Sequence, residues 1–284
     1  MSERRLRQPG PAPLKRFESV VGTGRKLDFT LEPGLTLNEA VAGPLSKAGM
    51  KAASLVLEGG SFLPFQYLMP ALSTDGHHAA WYSEPRAPSG ETRLENGNVT
   101  FGERDGAPFV HCHATFIERD GKRHAGHVLP LQTTVGRPIR ASAWCTKDVR
   151  MVAVPDAETG FTLFRPIASE LNGNMDGPRV VIARVRPNTD IIETLEAILM
   201  THGLAEARLR GGIGSLIGAR YVDGSSVGDA ATEVFVTNGF VSTRSNSTSL
   251  EIVMVDTKGA ITRGQLLRGE NPVCITFELF LEEA

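Results

Sequence analysis

LEPGLTLNEAVAGPLSKAGMKAASLVLEGGSF, residues 31–62, has a diverged second copy in the same chain: VRPNTDIIETLEAILMTHGLAEARLRGGIGSL, residues 185–216. Laid together without a gap, Pro33 falls on Pro187, Glu39 on Glu193, Gly49 on Gly203, Gly60 on Gly214 and Ser61 on Ser215. Both read strand, turn, helix, glycine stop, strand, glycine turn. In the second copy Ile191, Leu195, Ile198 and Leu199 form one apolar stripe at helical spacing. Gly203 then ends the helix, because glycine enters the left-handed conformation of a helix terminus without steric cost.

A second block repeats further on. HCHATFIERDGKRHAGHVLPLQTTV, residues 111–135, lies over SLEIVMVDTKGAITRGQLLRGENPV, residues 249–273, with Gly121 on Gly259, Gly126 on Gly264, Leu129 on Leu267 and Val135 on Val273. The offset falls from 154 to 138, so the first copy holds 16 extra residues. They are expected within residues 74–98, a stretch rich in turn formers. Two ungapped blocks in the same order imply a duplication. The fold class expected is α+β: two tandem copies of a mostly antiparallel β domain with one principal helix each. The expected boundaries are a disordered arm over 1–15, a first domain over 16–154, a linker over 155–160 and a second domain over 161–284. Pro9, Pro11 and Pro13 discourage helix in the arm.

At 284 residues the chain is long enough to bury two cores. Its 41% hydrophobic and 22% charged residues are ordinary for a globular protein. The net charge of −2 gives no push toward polyanions. Cys112, Cys145 and Cys274 make no disulfide framework and no C-x-x-C pair, which suits a reducing, cytoplasmic setting. No apolar run is long enough to span a bilayer, and the basic N-terminus lacks the apolar core of a secretory signal.

Four of the seven histidines fall between residues 109 and 130. From Val110 to Phe116 apolar and polar residues alternate, the period of a half-buried strand. ERDGK then turns the chain, making 109–117 and 124–129 a hairpin. On such a strand His111 and His113 face one way, ~6.6 Å apart, and Cys112 the other. The partner strand can deliver His127. Three imidazoles suit zinc with a fourth position open, and Mn, Fe, Ni or Co also accept this donor set. Histidines also serve as ordinary polar strand residues, so local sequence leaves both readings open. His124 is an odd step from His127 and faces away. His77 and His78 lie in the extra loop, as exposed residues or as a lid. His202 sits at a helix C-terminus, where an imidazolium is favourable. The second copy discriminates: over His111, His113 and His127 it places Ser249, Glu251 and Gln265. The scaffold glycines persist while the imidazoles do not, which favours a specific task in the first copy.

At these residues the chain resembles the PPC (plants and prokaryotes conserved) domain family. The resemblance rests on HGLAEARLRGGIGSL and on the histidine block with its glycine-histidine turn, and covers about 16–150 and 161–284. The family pattern Gly-Gly-His-Leu stands here as Ala125-Gly126-His127-Val128, and in the second copy as Arg263-Gly264-Gln265-Leu266. The family's glutamate in the closing strand is present as Glu278 in the second copy and replaced by Arg140 in the first. The resemblance implies two functions. Plant members carry AT-hooks and bind A·T-rich DNA. The fold is also similar to acetolactate decarboxylase and a related ester hydrolase, whose His-x-His plus later His hold zinc; His111, His113 and His127 match that pattern. It further implies a homo-oligomer, trimer-like in the family.

The leading expectation is therefore a metal-dependent lyase or hydrolase, with zinc on His111, His113 and His127, acting on a small carbonyl or carboxylate compound. Arg137 and Arg140 could clamp a substrate carboxylate, and Glu58 could act as general acid or base. Each also reads as an ordinary surface charge. DNA binding ranks second. VGRPIR, residues 135–140, holds the Gly-Arg-Pro core of an AT-hook, but it lies where the repeat expects a turn into a strand. A non-catalytic ligand or metal sensor would use the same histidines without turnover.

Overall fold

The repeat folds into two antiparallel sheets, each carrying one helix, in a computed structural model that describes residues 4–170, 176–245 and 247–284. The first copy supplies β2 (Arg25–Leu31), α1 (Leu37–Lys47), β3 (Ala52–Glu58), β4 (Thr92–Arg104), β5 (Ala107–Ile117), β6 (Arg123–Val128) and β7 (Ile139–Thr146). The second supplies β10 (Arg179–Val185), α2 (Ile191–His202), β11 (Glu206–Leu216), β12 (Thr232–Ser242), β13 (Ser249–Asp256), β14 (Ile261–Gln265) and β15 (Val273–Glu283). The strand orders are β2-β7-β3-β4-β5-β6 and β10-β15-β11-β12-β13-β14, the same path twice. The duplicated α+β architecture read from the sequence is thus what the chain adopts.

The register carries the repeat to single residues. Helices begin at Leu37 and Ile191, and His113 pairs with His127 as Glu251 pairs with Gln265. Thr36 caps α1 in a reciprocal box with Glu39, and Asp190 caps α2 by accepting from the amides of Ile192 and Glu193. Gly203 closes α2 at φ 64°. Each helix buries its apolar stripe on its own sheet: Leu37, Val41 and Leu45 in one core, Ile191, Leu195, Ile198 and Leu199 in the other. Each such side chain contributes ~1.5–3 kcal/mol on burial.

The remaining sheet faces meet one another. On β5, Val110, Cys112, Ala114 and Phe116 point to the helix core, so His111, His113 and Thr115 point to the second copy. The strand expected to be half-buried is buried on both faces over its middle: His113 is 2% exposed and Thr115 6%. Asn98 on β4 accepts from the Gly212 amide on β11, 3.2 Å away. A second patch of Ala52, Val149, Met151, Phe164, Val180, Ile182 and Phe280 joins both copies.

The edges interleave. β1 (Phe17–Thr23), within the first domain expected over 16–154, instead pairs with β10 of the second sheet. β8 (Val149–Pro155) and β9 (Thr162–Ala168) form a hairpin that joins the first sheet through β4. The turn over 155–160, expected as a linker, buries the side chains of Asp156, Glu158 and Thr159. Asp156, 7% exposed, accepts from Arg184 and Arg186, and Glu158, 1% exposed, is bound by Arg16.

The arm expected to be disordered lies along the second copy from residue 4 on, without helix or strand; residues 1–3 fall outside the described residues. Leu6 exchanges two hydrogen bonds with the Asn188 side chain at 2.8 Å each, and Gln8 donates to the Cys274 carbonyl at 2.9 Å. Side chains satisfy a backbone that has no sheet partner of its own. All three cysteines are free and buried. No described helix is long and apolar enough to cross a membrane.

Candidate metal centre

The hairpin β5–β6 places His113 directly opposite His127, with His111 two residues along on the same face. One ring nitrogen from each of the three lies within 4.8 Å of the others. The closest pair is Nε2 of His111 and Nε2 of His113, 3.0 Å apart.

The second copy fixes how these rings sit. His113 Nδ1 lies 2.8 Å from the Val234 carbonyl, which can only accept, so this nitrogen carries the proton. His111 Nδ1 lies 3.1 Å from both carboxylate oxygens of Glu278 and donates to them. In neutral imidazoles so oriented, both Nε2 atoms present lone pairs, and they face one another. Glu233 Oε2 adds a third acceptor, 2.7 Å from His113 Nε2. A cation among these acceptors, or a proton on His113 Nε2 donated to Glu233, relieves their repulsion. His127 Nδ1 is buried without a hydrogen-bond partner among the described residues.

Charge supports the same reading. Glu278 is 2% exposed and Glu233 8%, and the ion pairs of both among the described residues are to His111 and His113. Two buried carboxylates need compensating positive charge. The formal charge of −2 beside three neutral imidazoles matches a divalent ion. Protons feel the same field. Burial alone would lower the His113 pKa, yet the Glu233 carboxylate, helped by the Val234 carbonyl and Glu278, raises it. Burial, then the neighbouring His111 and His113, holds His127 well below the usual histidine range. The residues present therefore fit a transition-metal ion: three imidazole donors, with partners on their outer nitrogens that set the tautomer.

Two chambers open beside the histidines. A small one, about 40 Å³, is lined by His113, Glu233, Ser215, Cys274 and Thr276, and Thr276 Oγ1 is buried in it without a partner. A larger one, about 190 Å³, is bounded by His111, His127, Phe109, Phe161, Phe164 and Arg104. Tyr82 borders both, with its ring 5.1 Å from His127. Burial, then Glu233, Glu278 and Cys274, pushes the Tyr82 phenol well above its usual range, so it keeps its proton. Burial and Glu233 push the Cys274 thiol up to about 12, so it is no thiolate nucleophile at neutral pH.

The other residues singled out in the sequence stand elsewhere. Glu58 and Arg140 are cross-strand neighbours joined 3.3 Å apart in an exposed ion pair, beside a groove shared with Asp28 and Trp144. Arg137 is held by Glu91 at 2.7 Å. None of the three lines a chamber at the histidines. Arg140 occupies in β7 the place of Glu278 in β15, but its side chain is 80% exposed, whereas Glu278 is buried against His111. Gly136 and Arg137 belong to a short strand paired with Ser61–Phe62, so the Gly-Arg-Pro tripeptide is built into the sheet. His124 stacks on Phe116 and lies 3.7 Å from Glu118, away from the triad. His78 is bound to Asp75 at 2.6 Å and packs on Trp81 and Phe161, behind the chamber wall; the extra loop thus carries Trp81 and Tyr82 to the site. His202 differs from expectation. It lies 2.8 Å from Ser19 Oγ, and burial with Arg179 and Lys15 nearby lowers its pKa, outweighing the favourable helix end.

Sequence reasoning missed Glu233 and Tyr82 and gave Glu278 no partner. The signal for Glu278 was present: one copy keeps the histidines without the glutamate, the other the glutamate without the histidines.

A family model for the Plants and Prokaryotes Conserved (PCC) domain matches residues 173–284. No curated protein matches. Among solved structures, a PPC protein from Pyrococcus horikoshii is 17% identical, covers 53% of this chain and 97% of its own, and has a TM-score of 0.42. A metal-containing protein from Archaeoglobus fulgidus is 18% identical over 53% of this chain and 99% of its own, with a TM-score of 0.40. A candidate DNA-binding protein from Bacteroides thetaiotaomicron is 12% identical over 53% and 97%, with a TM-score of 0.38. Residues 173–284 thus match the Plants and Prokaryotes Conserved domain family, the same family that the histidine-bearing first copy resembles.

Proposed function

We propose that the two copies together form one metal centre that acts on a small carbonyl or carboxylate compound as a lyase or hydrolase. His111, His113 and His127 would hold the ion, zinc by preference for three imidazoles with a position left open. The observation that carries this reading is the convergence of three imidazole nitrogens beside two buried carboxylates that have no lysine or arginine partner among the described residues. A bound ion supplies Lewis-acid polarisation of an oxygen and a low pKa for bound water. The chain's own residues do the rest. Glu278 orients His111 through its Nδ1–H. Glu233, at the small chamber, is the group placed to accept and return a proton. Tyr82 keeps its phenolic proton available as a donor. The buried thiols suit a reducing, cytoplasmic setting.

Metal content of untagged protein tests this reading. We expect about one transition-metal ion per chain; protein that stays metal-free after incubation with zinc would sink it. Turnover of ester and oxo-acid panels by the loaded protein separates an enzyme from a sensor. A finer prediction concerns Glu278. Replacing Glu278 by Gln keeps the volume and removes the carboxylate that holds His111, so metal affinity should fall about 10–100-fold in chelator competition. Unchanged affinity would remove Glu278 from the centre.

DNA binding stands second. One similar structure is named a candidate DNA-binding protein. Against it, the net charge is −2 and Arg137 is tied to Glu91. A mobility-shift series in salt decides the point, because phosphate-driven binding weakens steeply as salt rises.

A further inference from the structure

The larger chamber has a polar floor, apolar walls and one cation at its mouth. Its floor is His111 and His127 with Glu278, and its walls are Phe109, Ala153, Phe161, Leu163 and Phe164. Arg104 also lines it, with its side chain 50% exposed to solvent. The register of β4 and β5 sets the spacing: His111 lies opposite Thr100, Phe109 opposite Gly102, and Ala107 opposite Arg104. Each such step along the strand is ~6.6 Å. The guanidinium carbon leans back over Phe109, 5.5 Å from its ring centroid. Cation, apolar wall and imidazoles therefore follow one another in a line.

Arg104 is also less committed to a protein carboxylate than Arg123, Arg137 or Arg140. Its ion pair among the described residues is to Asp105 at 3.7 Å, beyond hydrogen-bond distance, and that side chain is 92% exposed. Arg123, Arg137 and Arg140 are each bound by a glutamate at 2.7 to 3.3 Å. A planar fork of donors at the mouth of an apolar chamber suits a carboxylate. The chamber is smaller than the roughly 300–1,000 Å³ of pockets that enclose drug-sized ligands.

We propose that this chamber seats a small monocarboxylate whose anionic end meets Arg104 and whose carbonyl or ester oxygen, separated from it by an apolar spacer, reaches the histidines. The proposal rests on the metal-centre reading for its inner end. It excludes compounds in which the carboxylate and the reacting carbonyl are adjacent, because these cannot touch both ends at once. Arg104 becomes the specificity-determining residue that Arg137 and Arg140 are not.

Three isomers test it: 2-oxo-, 4-oxo- and 6-oxoheptanoate have equal charge and carbon count and differ only in where the carbonyl lies. Calorimetry with metal-loaded full-length protein should find 6-oxoheptanoate about tenfold tighter than the 2-oxo isomer. The Arg104→Gln variant should lose about tenfold for 6-oxoheptanoate, the loss of one charge-assisted contact. Its binding of heptan-2-one and its metal content should not change, and Arg137→Gln should behave as wild type. Equal affinities for the three isomers, no effect of Arg104→Gln, or no binding by metal-loaded protein would each overturn the proposal. Metal content measured on the same samples separates the two claims: loaded protein that ignores the isomers refutes only this one, whereas protein that takes up no metal refutes the centre itself.

Discussion

Replacing His111 and His113 together by alanine should abolish metal binding, while Ser249→Ala with Glu251→Ala, the matching change in the second copy, should leave about one ion per chain. The two pairs of positions are equivalent in the duplicated strands β5 and β13, so the comparison holds the scaffold constant. Only the first set supplies imidazole nitrogens within 4.8 Å of one another. The alanine variant carries a complication: it leaves Glu278 and Glu233 buried without their ion-pair partners, which costs stability of its own. His127→Gln avoids this, because the His127 ring is paired with neither carboxylate and Gln preserves much of its volume. We expect that variant to melt like the metal-free wild type and to bind metal far more weakly. Elemental analysis and thermal melts with and without chelator measure both. Equal metal loss in the second-copy variant would show that the ion sits elsewhere.

The sequence made the scaffold legible because a duplicated chain carries its own control. Gly126 and Gly264 match for a reason that sequence alone did not give. An added Cβ at Gly126 would come within 3.0 Å of the Tyr67 ring, and at Gly264 within 2.7 Å of the Tyr221 ring, and these two tyrosines are themselves equivalent. Gly60 and Gly214 likewise press on the carbonyls of Pro138 and Thr276. The histidine triad was legible from strand periodicity, since i and i+2 share a face and the hairpin turn fixed the third. Its carboxylates were not. Glu233 and Glu278 reach the site only because one sheet packs face to face on the other, and nothing in a local pattern encodes which faces meet. Glu58 and Arg140 stand near the glycines and the histidines in sequence, but strand pairing joins them to each other in an exposed ion pair. The exchange of β1 into the second sheet was equally hidden, because an edge strand reads the same whichever sheet it extends.

Asp156→Asn should be the most damaging single substitution outside the cores, costing about 3–5 kcal/mol, the usual penalty for removing one partner of a buried ion pair. Asp156 Oδ2 accepts from Arg184 at 2.8 Å and from Arg186 at 3.0 Å, and Oδ1 accepts from the Thr159 amide and hydroxyl at 3.0 Å each. Arg184 is 1% exposed. Without Asp156, the nearest carboxylate of its ion pairs would be Glu18, 3.6 Å away. An exposed pair such as Arg140–Glu58 offers the contrast, since water screens it and its loss should hardly move the denaturation midpoint. The pH dependence gives the effect its signature. Burial alone would raise the Asp156 pKa, but Arg184 and the Thr159 donors hold it below the ordinary value of 3.8. A group depressed in the folded state contributes its stability in full above the unfolded pKa and loses it as the pH falls through the folded one. The gap between wild type and Asp156→Asn in urea denaturation should therefore be wide at neutral pH and close below 3.8. A gap that persisted unchanged in acid would mean that Asp156 acts through the shape of its turn alone. The expected closure would instead identify charge as what binds the inter-copy turn to β10, and with it Phe161, whose ring closes both chambers at the histidines.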